Sequence, residues 1–228
     1  MNDASPFRVP AVSLELVESF TGMVFDDREA EFEQMVERLL AGGASPENLM
    51  LDLLAPAARL MGEHWREDHR DFVEVTLGMA RLQQLVRQFR LPATGGAQLR
   101  GHALLVPAPG EQHTFGLRVV EEHLLRAGWR VSVHITASAS DITRLAAEEF
   151  YDFVGFSLST ERLLPALREA ALRLRPTARN RQLRVAVGGG LFDGLDIAPG
   201  EIGADAIVMD ARDAVNQANQ WCSLAGAE

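Results

Sequence analysis

The chain has 228 residues, of which 47% are apolar and 24% are charged, as in typical globular proteins, and this length allows one large domain or two small ones. The net charge of −10 and the lack of a long basic cluster argue against direct binding to nucleic acid. The single cysteine excludes an intrachain disulfide, no apolar run reaches about 18 residues, and no signal peptide is visible, so a cytoplasmic protein without membrane helices is expected.

The first ninety residues are predicted to be mainly helical. Residues 1–28 are turn-rich, and we expect a partly ordered N-terminal arm there, with a short helix around Val12–Phe20. After this arm, apolar residues recur at steps of three and four, which is the spacing of one helix face. Three or four such helices over residues 29–90 predict a small helical bundle.

Proline and glycine mark the expected helix boundaries inside the bundle. Ser45 and Pro46 have the residue types of an N-cap and a first helical position. Pro56 lies inside the apolar pattern that follows and should kink this helix, and Gly62 with the polar segment Glu63–Arg70 should end it. A further helix is expected from about Phe72 to Phe89.

The second half of the chain has a different pattern of apolar residues. A linker is expected over residues 91–100, because this segment is rich in glycine and contains proline. Five strand-like runs then alternate with helical runs over residues 101–228, which predicts a doubly wound, flavodoxin-like sheet of five parallel strands. The predicted strands are His102–Val106, Val131–Ile135, Phe153–Ser157, Leu183–Val187 and Ala206–Met209. The predicted helices are Thr114–Ala127, Ser140–Glu149, Thr160–Leu174 and Ala211–Trp221.

Three clusters of unusual residues follow predicted strands. The loop after the first strand carries Glu111 and His113, Ser157 and Ser159 come at the end of the third, and a run of three glycines begins at Gly188 after the fourth. Because ligands bind at the carboxyl edge of such sheets, these clusters should lie together in a site. A histidine close to a carboxylate suits a metal ligand whose other ring nitrogen is held by the acid.

These residues resemble the motif of the cobalamin-binding module: Glu111-x-His113-x-x-Gly116, then Ser157, then Gly188-Gly189. The upstream bundle is similar to the helical cap of that family, through Leu54, Pro56, Gly62 and Trp65, so that the resemblance covers roughly residues 30–221. It implies that His113 is the lower axial ligand of cobalt and that Glu111 holds its second nitrogen. It further implies that Trp65 covers the upper face of the corrin ring. The implied cofactor contacts are Trp65, Glu111, Gln112, His113, Thr114, Gly116, Ser157, Leu158, Ser159, Gly188, Gly189 and Phe192.

The sequence departs from the family pattern in three places. Glu111 stands where aspartate is usual, and its hydrogen bond to His113 should need a different rotamer. Ser159 stands where leucine is usual and should make the slot for the cofactor tail more polar. In cobalamin photoreceptors of the CarH type, the cap carries a Glu-His pair where this chain has Val75 and Thr76, with Glu74 one residue early. We therefore expect a different chemistry at the upper face, where hydroxo-, methyl- and adenosylcobalamin all remain candidates and His64 and His69 could reach the ring.

The motif leaves two functions open. A cap and module without a DNA-binding domain resemble the AerR/PpaA group, which are cobalamin-binding antirepressors of a PpsR/CrtJ-type repressor. This resemblance predicts a non-enzymatic transcriptional regulator whose partner is such a repressor. The regulator itself is expected to bind no DNA specifically and no membrane, and light is a candidate signal for it. The departures from the family pattern favour this function, with the partner surface expected on the bundle, the linker or the N-terminal arm. The alternative is a corrinoid protein that carries methyl groups between methyltransferases, and a module that binds no corrin is disfavoured by His113 and the glycines.

Overall fold

The computed structural model describes residues 12–90 and 99–225. The chain divides into two compact units, Met1–Arg90 and Leu91–Glu228. The first is helical, and the second contains a parallel sheet. Most of the linker predicted over residues 91–100 and the first eleven residues of the predicted arm lie outside the described residues.

The helical unit consists of helices connected by short turns. Their bounds are α1 Leu14–Phe25, α2 Glu29–Ala41, α3 Pro46–Leu49, a π-helical segment Met50–Leu54, α4 Ala55–Arg66 and α5 Phe72–Gln88. Ser13 and Ser45 cap the first amides of α1 and α3 with their side chains, which satisfies amides that have no partner inside the helix. Asp71 and Glu74 form a capping box at the start of α5.

The first helix corrects the prediction of an N-terminal arm over residues 1–28. Helix α1 packs on α2, α4 and α5, and Phe20 and Val24 are fully buried. Its apolar residues follow the spacing of a helix face, but Pro6, Pro10 and Gly22 gave the segment the composition of a turn-rich region. Residues Leu14–Phe25 therefore belong to the bundle, and the helix extends beyond the predicted end at Phe20.

A π-helical segment lies where the sequence predicted a proline kink. The amide of Ala55 donates to the carbonyl of Met50, five residues earlier, and Pro56 lies in the first turn of α4. Because proline has no amide hydrogen and clashes with the preceding turn, the wider turn accommodates it without ending the helix. The helix continues through Gly62 and ends at Arg66, inside the polar segment Glu63–Arg70 that was predicted to end it.

The α/β unit has the predicted architecture. Its strands are β1 His102–Pro107, β2 Arg130–Val133, β3 Phe153–Ser157, β4 Arg184–Gly188 and β5 Ala206–Val208, and its helices are α6 Phe115–Arg126, α7 Ala139–Glu148, α8 Leu164–Thr177 and α9 Ala211–Ala225. All strand pairs are parallel, and the strand order β2-β1-β3-β4-β5 is that of flavodoxin-like sheets. The bounds differ from the predicted ones by at most three residues, apart from the start of α8 and the end of α9, which each differ by four.

Each face of the sheet carries its own core. Leu104 and Val106 of β1 pack with α7 and α8, whereas Ala103 and Leu105 pack with α6 and α9, as expected for side chains that alternate along a strand. The connection from β4 to β5 contains only two short 3-10 segments, Gly190–Asp193 and Pro199–Ile202. Over residues 12–90 and 99–225, no helix has both the length and the apolarity needed to cross a bilayer.

Candidate functional site

The loop between β1 and α6 is organised around the buried side chain of Glu111. One carboxylate oxygen, Oε1, accepts hydrogen bonds from the amides of Gln112 and His113, both at 2.8 Å, and from Nδ1 of His113 at 2.6 Å. The other oxygen, Oε2, accepts from the amide and the hydroxyl of Ser159, at 2.8 and 2.7 Å. Glu111 thus ties its own loop to the end of β3.

This network fixes the charge of Glu111. Burial would raise the pKa of its carboxyl, but hydrogen bonds from the amides and side chains of His113 and Ser159 outweigh that effect and lower the pKa to about 2. Hydrogen bonds to the charged form of an acid favour that form. Glu111 is therefore an ionised, acceptor-only group at neutral pH.

The ionised carboxylate determines the tautomer of His113. Since Glu111 can only accept, Nδ1 of His113 must carry a proton and donate it, and in the neutral ring Nε2 then keeps its lone pair. The His113 side chain is 65% exposed, whereas that of Glu111 is 2% exposed. The structure thus presents an oriented imidazole nitrogen at the protein surface, the arrangement that a metal ligand requires.

The departure at Glu111 is compensated by the departure at Ser159. Glutamate reaches His113 with a short hydrogen bond despite its additional methylene group, and its second oxygen extends to Ser159. The hydroxyl of Ser159 is directed at Glu111, so it does not serve mainly to make a slot polar as the sequence suggested. A leucine at position 159 would keep the amide hydrogen bond to Oε2 but could not donate the one that the serine hydroxyl makes.

Ser157 has a buried hydroxyl that no hydrogen-bond partner satisfies among the described residues. It lies at the end of β3, in register with Pro107 of β1 and Gly188 of β4. A buried polar atom without a partner costs free energy. The hydroxyl is therefore suited to a hydrogen bond with a bound ligand at this edge.

The surroundings of the motif glycines differ in whether they leave room for a side chain. A Cβ atom at Gly189, where φ is +112°, would lie 2.4 Å from the carbonyl oxygen of Leu158, and one at Gly188 would lie 2.8 Å from that of Val208. Both positions thus require glycine because neighbouring backbone is close. A Cβ atom at Gly116 would meet nothing within 4 Å, which leaves open space beside the His113 loop.

The remaining predicted contacts lie at or under this edge. Gln112 is exposed and Thr114 is half-buried, whereas Leu158 and Phe192 are core residues with exposures of 1% and 4%. The role of Ser159 as a partner of Glu111 is the feature that sequence reasoning missed. Its only signal was that both positions depart from the family pattern.

Trp65 lies in the helical unit, near the end of α4, and is 47% exposed. The rings of His64 and His69 contact each other edge to face at 5.6 Å. Glu74 accepts hydrogen bonds from Arg70 and from the amide of Asp71. The hydroxyl of Thr76 donates to the carbonyl of Phe72. The polar groups near the position of the photoreceptor Glu-His pair thus contact neighbours in their own helix and turn. The contact of Trp65 with the upper face of the corrin stays a prediction.

A single histidine ligand fits a metal ion whose other ligands come from a macrocyclic cofactor. Within the described ranges, no group of three or more His, Cys, Asp or Glu side chains is placed to hold a bare metal ion. His113 therefore offers a single nitrogen ligand. The other ligands of such a metal would have to come from a cofactor, and a corrin supplies four ring nitrogens to cobalt.

Comparison with known proteins decides the family. The B12 binding domain matches residues 101–218, which is more than half of the chain. The chain belongs to the B12 binding domain family. It is a cobalamin-binding protein, as the resemblance in the sequence implied.

One relative of this B12 binding domain protein is an uncharacterized 20.5 kDa protein in the bchF-crtJ intergenic region of Rhodobacter capsulatus. It is 29% identical over 167 residues, which cover 72% of this chain and 86% of the relative. Since 72% of the chain exceeds the length of the α/β unit, the match includes part of the helical unit.

Two solved structures share the fold of this B12 binding domain protein. The monomethylamine corrinoid protein of Methanosarcina barkeri has a TM-score of 0.71 at 16% identity, with 89% of this chain and 96% of that chain covered. The methanol:cobalamin methyltransferase complex MtaBC of the same organism has a TM-score of 0.50 at 15% identity, with 92% and 81% covered. At these identities the likeness shows the fold alone.

The two serines at the end of β3 give a matched test of the site. Ser157→Ala should leave the free energy of unfolding unchanged or slightly higher, because its hydroxyl has no partner in the part of the chain that the structure describes, but should weaken cobalamin binding by about 5- to 10-fold. Ser159→Ala should instead lower the free energy of unfolding by about 1–2 kcal/mol, because it breaks a charge-assisted bond to Glu111. Urea unfolding and cobalamin titration measure both quantities, and unchanged affinity of Ser157→Ala would remove this hydroxyl from the site.

Proposed function

We propose that this protein is a cobalamin-dependent transcriptional regulator that acts through a protein partner, a repressor of the PpsR/CrtJ type, as an antirepressor. The observation that carries the proposal is the Rhodobacter capsulatus relative, whose name places it beside crtJ and whose match includes part of the helical unit. The acidic net charge of −10 supports action without direct DNA binding, because phosphate contacts supply most non-specific affinity for DNA.

The proposed cofactor site contains His113 as the lower axial ligand of cobalt, with Glu111 and Ser159 holding its imidazole. Bound cobalamin would supply a cobalt centre whose upper ligand can be exchanged. The chain's own contribution is to orient Nε2 of His113 and to offer the Ser157 hydroxyl. Trp65 is proposed to contact the upper side of the cofactor, and the form bound is a hydroxo-, methyl- or adenosylcobalamin.

The cofactor can control a partner only if it binds two states of the protein with different affinities. The hydrogen bonds of Glu111 couple His113 to Ser159, which lies 48 positions after Glu111 in the sequence. Ligation of His113 would therefore act on the end of β3 as well as on its own loop. This coupling is the route by which we propose that cofactor state reaches a partner surface.

The test is a gel-shift assay with a promoter fragment that a PpsR/CrtJ-type repressor binds. We expect no specific shift by this protein alone at physiological salt and release of the repressor from DNA when cobalamin-loaded protein is added. Dark and illuminated samples loaded with adenosyl-, methyl- or hydroxocobalamin identify the effective form and whether light matters. Specific DNA binding by this protein alone would contradict the proposal.

The alternative is a corrinoid methyl carrier, which the fold alone permits, since a corrinoid protein and a methyltransferase complex share it. Methyl transfer from the methylcobalamin-loaded protein to a thiol acceptor, with no effect on the repressor, would establish this alternative. The two outcomes are read from the same purified preparation.

A further inference from the structure

A groove runs along α8, where the connection from β4 to β5 lacks a helix. Its volume is about 650 Å³. One wall is α8, and the other is formed by Ile197, Glu201 and Ile202 of the connection. Because the 3-10 segments are short, this flank of α8 stays open at the surface of the α/β unit.

The floor of the groove is apolar. Leu164, Leu172, Ile197 and Ile202 line it, and Leu172 is 55% exposed. The side chain of Leu172 lies so close to Gly203 that a Cβ atom there would be 3.0 Å from its Cγ, so the leucine packs against the connection although more than half of it is exposed. An exposed apolar surface with a polar rim is typical of an interaction site.

The rim of the groove is acidic. Glu161, Glu169 and Glu201 stand around it with a single basic residue, Arg168. Glu169 is paired with Arg173 at 2.7 Å, so the remaining rim charges are the carboxylates of Glu161 and Glu201 and the guanidinium of Arg168, which together leave one net negative charge. Charge complementarity therefore calls for a basic occupant.

The dimensions of the groove indicate the form of this occupant. Leu164 and Leu172 are eight positions apart on α8, which corresponds to about 12 Å along the helix axis. This distance matches the apolar anchors that an amphipathic helix presents over two turns when it binds in a groove. A basic amphipathic helix thus fits both the floor and the rim.

The groove begins next to the candidate cobalamin site. Glu161 comes two residues after Ser159, whose amide and hydroxyl hold Glu111. The connection that forms the opposite wall leaves the end of β4, where the amide of Leu191 donates to the carbonyl of Leu158 at 3.3 Å, and it reaches the groove at Ile197. The segments that lead into both walls therefore start at strand ends that the cofactor site shares.

We infer that this α8 groove is the docking site for a basic amphipathic helix of the protein partner. The inference rests on the proposed function and identifies its partner surface, which lies on the α/β unit and not on the bundle, linker or arm where the sequence placed it. A DNA-binding repressor carries basic segments that contact phosphates. If the groove takes such a segment, the acidic rim replaces the phosphates and the repressor leaves the DNA.

The experiment measures the affinity of the full-length, cobalamin-loaded protein for the purified repressor, by calorimetry and at two salt concentrations. Leu172→Arg adds a positive charge on the groove floor, and we expect binding at least about 10-fold weaker, as for a central anchor of an interface. Glu161→Arg, at the exposed rim, should weaken binding and reduce its salt dependence. Leu125→Arg, an exposed leucine on α6 at the opposite face of the sheet, is the matched control and should bind like the wild type.

Cobalamin absorbance and light scattering are recorded for each variant, so that loading and self-association are known. Wild-type affinity in both Leu172→Arg and Glu161→Arg would overturn the docking site while the proposed function stands. Failure of the wild-type protein to bind the repressor would overturn the proposed function and the docking site with it. A wild-type dimer that Leu172→Arg dissociates would identify a second copy of the chain as the occupant and overturn the inference.

Discussion

Replacing His113 with alanine should lower the affinity for hydroxocobalamin by at least about 100-fold. Loss of an outer group that holds a metal ligand typically costs about 10- to 100-fold, and removal of the ligand itself should cost more. The His113 side chain is 65% exposed, so the substitution should preserve the fold, with a modest loss of stability because its bond to Glu111 is removed. Any cofactor still bound should show the absorption spectrum of cobalamin ligated by its own dimethylbenzimidazole base.

His134→Ala is the control for this substitution. His134 is another exposed histidine, located just after β2, whose amide donates to the carbonyl of Leu105 at the same edge of the sheet. Its replacement should preserve the wild-type spectrum and affinity. If His113→Ala binds like the wild type, or if His134→Ala loses the cofactor instead, His113 is not the lower ligand.

Replacing Glu111 with glutamine should destabilise the cofactor-free protein by about 3 kcal/mol at pH 7. The pKa of Glu111 is about 2 in the folded protein against an ordinary value of 4.5, and a shift of this size corresponds to about that free energy. The glutamine amide cannot accept all the hydrogen bonds that the carboxylate accepts. Cobalamin affinity should fall as well, by about 10- to 100-fold, because the imidazole of His113 loses its charged partner.

The pH dependence has a definite sign. The folded-state pKa is depressed, so the stabilisation is complete above the unfolded-state pKa near 4.5 and is lost as the pH falls toward 2. The difference in unfolding free energy between wild type and Glu111→Gln should therefore shrink to roughly half or less by pH 3. Urea unfolding at several pH values measures it, with Glu161→Gln, an exposed glutamate, as control. A difference that stays constant with pH would show that the carboxylate is not the stabilising species.

The sequence predicted the α/β unit well because its signals are local. Strand-like runs of four or five residues alternate with amphipathic helices, and this alternation allows few topologies other than a parallel doubly wound sheet. A short helix was predicted around Val12–Phe20, but the membership of α1 in the bundle was missed for the converse reason, since its packing also involves α4 and α5, which lie far from it in sequence. The burial of Phe20 and Val24 depends on these partners, and local composition does not contain them.

The candidate site was only partly predictable. The motif identified Glu111 and His113 as neighbours, two residues apart, and the hydrogen bond between them was expected. The second bond of Glu111, to Ser159, depends on the pairing of Pro107 with Ser157 in adjacent strands, and this register cannot be read from one sequence. The two departures from the family pattern therefore looked independent, whereas the structure joins them in one network.

The π-helical turn at Met50–Leu54 has a consequence for changes in chain length. Leu49, Leu53, Ala57 and Met61 are spaced by four residues, and each is at most 1% exposed. In a regular α-helix every four-residue step overshoots a full turn by about 40°, so three steps would rotate the last side chain by about 120° from the first. A turn closed by a bond over five residues takes up part of this rotation. Such a turn corresponds to a one-residue insertion accommodated within a helix. We therefore expect that the helical run Pro46–Arg66 can lose one residue at Met50–Leu54 while the segments before and after this turn keep the same side buried.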